Sequence, residues 1–154
     1  MLLKRLYVLV FTGHGTRRMH LGGATANPTG EWTVQQARNL AVSLGGRFQD
    51  VKFVIRDRGP DFTRAFGAVF QANGTRILRT AVQAPRMNAT CERLVGTLRR
   101  ELLDRVLILG EQHLRAVLTE YQAPCNAARP HQGIAQRRPR CRMRRSPVRH
   151  DRPR

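Results

Sequence analysis

The longest uninterrupted apolar run in the chain, Leu6-Tyr7-Val8-Leu9-Val10-Phe11, spans six residues. That length suits a strand buried on both faces and falls far short of the roughly 20 apolar residues a membrane-crossing helix needs. A basic Lys4-Arg5 pair precedes the run, superficially like the start of a secretory signal. The run is too short for that role, and Ala24-Thr25-Ala26 lies behind a second polar segment, His14 to His20. The chain is therefore read as cytoplasmic, with no membrane partner.

After this strand, His14-Gly15-Thr16-Arg17 reads as a turn and Arg18 to Ala24 as a second strand pairing back as a hairpin. Asn27-Pro28-Thr29-Gly30 opens a helix whose apolar residues Val34, Ala37, Leu40, Ala41 and Leu44 keep helical spacing, and Gly45-Gly46 ends it. Val51 to Ile55 is a short strand. A helix from about Asp61 to Asn73 carries Phe62, Ala65, Phe66, Val69 and Phe70 on one face, and Gly74 stops it. Thr75 to Thr80 is another strand, with Ala81 to Arg86 a loop. A helix from about Asn88 to Val106 is expected to bury Cys91, Leu94, Val95, Leu98 and Leu102, and a last one covers roughly Glu111 to Tyr121. The order is strand, strand, helix, strand, helix, strand, helix, helix, an α/β layout without internal repeats. Residues 1–135 form one expected domain. Residues 136–154 form an Arg/Pro-rich tail with no apolar periodicity, expected to be disordered.

With 41% apolar residues the chain can build a core. Its net charge of +18 points first to a polyanionic partner. Two features temper the inference. Only Lys4 and Lys52 are lysines, so 26 of the 28 basic residues are arginine, a bias of composition as much as of function. The last 18 residues hold nine arginines against Asp151 alone, which leaves +10 on the other 136 residues. Cys91, Cys125 and Cys141 stand far apart, and the histidines His14, His20, His113, His131 and His150 are dispersed. No disulfide framework or zinc site is indicated.

Two acids carry the candidate chemistry. Asp57 follows the third visible strand in Arg56-Asp57-Arg58-Gly59-Pro60-Asp61-Phe62. Carboxylates at the carboxyl ends of strands in open α/β sheets face the crevice where ligands bind. Alternatively Asp57 or Asp61 caps the next helix. Glu92 lies in Asn88-Ala89-Thr90-Cys91-Glu92-Arg93, with Gly96 and Arg99 on its stripe of the helix, an alignment suited to a metal ion and a DNA phosphate. The alternative is an ordinary solvated helix face.

Taken together, Asp-x-Gly-x-x-Phe and Asn-x-x-x-Glu-Arg-x-x-Gly-Thr-Leu-Arg-Arg-Glu, with 34 residues between Asp57 and Glu92, resemble the integrase core of bacterial insertion-sequence transposases and retroviral integrases. Arg5-Leu6-Tyr7-Val8-Leu9, Thr16-Arg17-Arg18, Gln83-Ala84-Pro85-Arg86 and Asn126-Ala127-Ala128-Arg129-Pro130-His131 agree with it, over about residues 2–135. The resemblance implies an RNase H-like mixed sheet flanked by helices. It also implies three carboxylates binding two Mg²⁺ (or Mn²⁺) ions, one ion activating the attacking water or 3′-hydroxyl and the other stabilising the leaving oxygen. Asp57 and Glu92 would be two of the three ligands, and Arg93, Arg99 and Arg100 would contact the DNA backbone.

The sequence departs from the family in several places. The first catalytic Asp of the family sits on a central strand just before the position of Leu2, so the core is expected to lack that strand and acid. The neighbouring strands would then be left with unpaired edges. Gly13 stands where relatives commonly carry an acid, and Cys125 replaces a tyrosine. The expected function is a DDE-type transposase or integrase catalytic domain for DNA integration and transposition, inactive as this fragment. Its partners would be transposon ends, target DNA and a second copy or an intact transposase. Two other readings stay open: a non-catalytic nucleic-acid-binding remnant, and an unrelated basic α/β protein that binds nucleic acid.

Overall fold

A computed structural model describes residues 4–80 and 85–127. The tail at 136–154 and the Arg129-Pro130-His131 motif lie outside the described residues, as do most of the loop residues expected after Thr80. The elements run β1 (Tyr7–Thr12), β2 (Met19–Thr25), α1 (Gly30–Leu44), β3 (Phe53–Arg56), α2 (Arg64–Gln71), β4 (Arg76–Arg79), α3 (Pro85–Glu101) and α4 (Glu111–Ala127). Short 3₁₀ turns follow α1, at Gly45–Asp50, and α3, at Leu103–Arg105. The α/β order read from the sequence holds. α3 begins three residues earlier than expected, at Pro85, where a missing N–H costs a helix nothing. α4 runs six residues further than expected, through Pro124.

Among the described residues the strands form two separate pairs. β1 and β2 pair antiparallel, with a register shift between Leu9 and Val10. β3 and β4 pair in parallel, Val54 opposite Ile77 and Arg56 opposite Arg79. Among the described residues each sheet has two strands, so β1 and β3 have one neighbour each. β1 is correspondingly less buried than its composition suggests: Tyr7 and Val8 are 40% and 36% exposed. A strand paired along one edge only presents more of its side chains to water than one in the middle of a sheet.

Two clusters of buried side chains hold these layers together. One joins Val34, Ala37, Phe48, Phe66 and Phe70, with Phe11 of β1, Val54 of β3 and Ile77 of β4 packed against it. Both strand pairs therefore share one helical cover, α1 and α2. The other cluster lies on the opposite side of the hairpin, where Met19 and Ala24 meet Leu94 and Leu98 of α3, Leu102 just beyond it, and Leu114, Val117, Leu118 and Tyr121 of α4. Val95, expected in this core, is 59% exposed: the buried stripe of α3 is the narrower 94, 98, 102 row.

Local chemistry sets the ends of these elements. Thr29 caps α1 by accepting from Trp32 N, and Gly45 closes it at φ 53°, a left-handed backbone that glycine adopts without a Cβ clash. Gly23 lets α1 approach β2 closely; a Cβ there would lie 3.0 Å from Gln36 Oε1 and 3.2 Å from the Trp32 ring. The outer edge of β2 is closed by side chains of α4. The Asn126 amide donates to Met19 O and accepts from Met19 N, both at 2.8 Å, and Gln122 Oε1 accepts from Leu21 N at 2.8 Å. These two amides stand in for a neighbouring strand.

Candidate functional site

Asp57 is the first residue beyond β3, and the parallel ladder continues up to it. Arg76 N donates to Lys52 O at 2.9 Å and Thr80 N to Arg56 O at 3.0 Å. Below the strand, the buried Thr75 hydroxyl donates to Val51 O at 2.6 Å and Asn73 Nδ2 to Phe48 O at 2.8 Å, which fixes β4 against β3. The Asp57 carboxylate is itself oriented: Oδ1 accepts from Arg58 N at 2.7 Å and from the Thr80 hydroxyl at 3.2 Å. Arg58 Nε donates back to Thr80 O at 3.0 Å, closing the loop. Thr80 is a residue that sequence reasoning missed. Its only signal was its place at the end of the strand that pairs with β3.

The alternative role for Asp57, capping α2, is filled by another residue. Thr63 is the cap of α2, accepting from Phe66 N. Asp61 contributes a backbone carbonyl, which accepts from the buried Thr33 hydroxyl of α1 at 2.6 Å. The Gly59–Phe62 turn is closed by Phe62 N donating to Gly59 O at 3.2 Å. The Phe62 ring packs edge-on against Phe66 with centroids 5.1 Å apart, and the Arg56 guanidinium lies over it at 5.8 Å. The Asp-x-Gly-x-x-Phe motif is thus a strand end, a turn and an aromatic anchor in sequence, with an exposed carboxylate at its head.

Glu92 projects from α3 on the exposed face, opposite the Leu94–Leu98–Leu102 row. Arg93, Arg99 and Arg100 share that exposed side. The stripe of Glu92, Gly96 and Arg99 is arranged differently from the expected alignment. The space over Gly96 is taken by the Arg100 guanidinium, whose Nη1 would sit 3.2 Å from a Cβ there, while Arg99 Nε lies 3.8 Å from Asp104 Oδ1 in an exposed ion pair. Beside Glu92, burial pushes the Cys91 thiol above its ordinary pKa, and the Glu92 charge adds to the effect.

Asp57 and Glu92 both offer oxygen donors, the class that a hard divalent ion takes, and such ions commonly bind through one or two carboxylates plus substrate phosphates. Donor chemistry fits. The number does not reach the expected triad: among the described residues no group of three His, Cys, Asp or Glu is placed to hold a metal ion. A second feature escaped the sequence reading. Between α2 and the β3–β4 face lies a cavity of about 540 Å³ lined by Arg56, Arg64 and Arg79. Its signal was an arginine closing each parallel strand.

Residues 73–139 match the family model of the integrase core domain. The matched segment begins in the turn before β4 and takes in α3 and α4, so it contains Glu92, Arg93, Arg99 and Arg100, while Asp57 lies before it. Integrase core domains of this family are generally dependent on divalent metal. No curated protein matches the chain. No helix among the described residues is long and apolar enough to cross a membrane.

Proposed function

We propose that residues 1–135 are the core of a transposase or integrase that acts on transposon ends and target DNA in the cytoplasm. Asp57 and Glu92 are two of its metal-binding carboxylates. The observation that carries this reading is the setting of Asp57, an exposed carboxylate at the end of a parallel strand, aimed by Thr80 and Arg58 N–H and not used as a helix cap. Glu92 adds a second exposed carboxylate within the integrase-matched segment.

In this reading Asp57 and Glu92 would hold Mg²⁺ or Mn²⁺, which when bound polarises a phosphodiester and activates the attacking oxygen. The chain's own residues do the positioning. Thr80 and Arg58 keep the Asp57 carboxylate from rotating away, and Arg93, Arg99 and Arg100 neutralise backbone phosphates along α3. The reading also calls for a third acid on a strand of an RNase H-like sheet. The single-neighbour edges of β1 and β3, beneath one shared helical cover, support a place for such a strand. In this reading two carboxylates alone do not support cleavage, and the domain acts with a second copy or an intact transposase. The absence, among the described residues, of a group of three potential metal ligands favours one other reading, a non-catalytic DNA-binding remnant.

Titration of Mn²⁺ into the protein, with strand cleavage of a labelled duplex followed in parallel, tests the proposal. Weak Mn²⁺ binding that drops at least tenfold in both Asp57→Asn and Glu92→Gln, without cleavage, is the expected result. Binding unchanged in both variants would leave the remnant reading. Cleavage that disappears in Asp57→Asn would overturn the inactivity.

A further inference from the structure

We propose that the cavity between α2 and the β3–β4 face is a phosphate-binding pocket whose cationic lining is Arg56, Arg64 and Arg79. Strand geometry builds it. Val54 and Ile77 are register partners that pack into the cluster under α1 and α2. Residues two further along a strand share its face. Arg56 and Arg79, also register partners, therefore point to the same side, just past the apolar floor. Arg64 opens α2, whose positive helix end faces the same space, and Thr63 and Gln71 complete the polar lining.

Charge makes the cavity selective. No acid lines it, and among the described residues none of its three arginines makes an ion pair. Arg56 donates through Nη1 to Asp57 O at 3.0 Å, but its Nε is buried without a hydrogen-bond partner. A buried charged donor left unpaired is costly, and an oxyanion in the cavity would satisfy it. Guanidinium groups offer paired N–H donors matched to phosphate oxygens, and three of them converging exceed what one carboxylate requires. A cavity of about 540 Å³ has room for a phosphate with a sugar attached. Two sources share this chemistry: a backbone phosphate of DNA, or a free phosphate compound. The DNA source rests on the proposed function, because a strand held here would run on past Asp57; the phosphate chemistry does not.

The test follows arginine Nε–H signals in ¹⁵N spectra of the full chain during titration with inorganic phosphate, against chloride at equal ionic strength. Duplex DNA binding is measured over a salt series alongside. Saturable shifts with phosphate are expected, and they are lost in the Arg64→Gln/Arg79→Gln double variant. The slope of log affinity against log salt should fall by about two in that variant, since each phosphate contact contributes about one. The Arg64→Lys/Arg79→Lys variant should keep most of the slope. Phosphate shifts with an unchanged DNA slope would assign the pocket to a free phosphate compound. No saturable phosphate response, or one that survives in the Gln double variant, overturns the proposal; so does a Lys variant that loses as much slope as the Gln variant. Because Asp57→Asn should leave the phosphate response intact, failure of the metal reading and failure of the pocket are separable.

Discussion

The two strand pairs are built from similar apolar sequence but are covered differently. The β1–β2 hairpin is sandwiched: Phe11 faces the aromatic cluster under α1 and α2, while Val10, Met19, Leu21 and Ala24 face α3 and α4. Its outer edge is closed by Asn126 and Gln122. Among the described residues the β3–β4 pair has a helix on one face only. On its other face Phe53 is 53% and Ile55 39% exposed, with the Arg76 guanidinium above Phe53 at 5.9 Å. Parallel strands are ordinarily covered on both faces. The hairpin is therefore the more fully covered half, while the parallel pair carries the exposed face, the arginine-lined cavity and the exposed Asp57 at its end.

The largest test of this contrast is a residue that serves both halves. Phe70 is fully buried and touches Phe11, Phe48 and Phe66, with centroids 6.4, 5.6 and 5.2 Å away. Phe70→Ala should cost about 3–5 kcal/mol in a denaturant melt, enough to unfold a marginal domain. Hydrogen exchange should speed up in both strand pairs together. If only the parallel pair loosened, the shared-cover account would fail.

Asn126→Ala probes the hairpin alone. It leaves the N–H and C=O of Met19 without their partner, a loss of about 1–3 kcal/mol. Exchange should rise at Met19 and its neighbours while β3 and β4 stay protected, and equal loosening of both pairs would show that the halves are not independent.

The smallest effect is a pH dependence. His20 lies on β2, where burial first, and then the nearby Arg18 and Arg47 charges, hold its pKa below the ordinary 6.5. The unfolded chain therefore takes up the proton before the folded one does. Stability should be full above pH 6.5 and decline as pH falls below it, and His20→Gln should flatten that decline. A decline of the same size in the variant would assign it to other groups.

Much of this was readable from the residues. The alternation of strands and helices, the stop at Gly45 and the leucine row of α3 follow from periodicity and capping, which act over a few residues. Asp57 and Glu92 were legible as candidates because their motifs surround them. What sits around them was not. Thr80 reaches Asp57 across 23 positions of chain, and Asn126 reaches Met19 across 107. No local pattern encodes a partner that distant. Val95 shows the same limit: its helical spacing was right for burial, but the packed helices cover only a narrower row.

By itself, then, the sequence determined the order of elements, the stop of α1 at Gly45 and the candidate acids Asp57 and Glu92, because those depend on neighbours within a turn or two. Only the tertiary structure decided how the strands pair, that Thr63 caps α2 and leaves Asp57 exposed, and that three arginines from two strands and a helix line one cavity. Those outcomes depend on backbone edges and side chains far apart in the chain, and on which of them the packed helices bring within hydrogen-bonding reach.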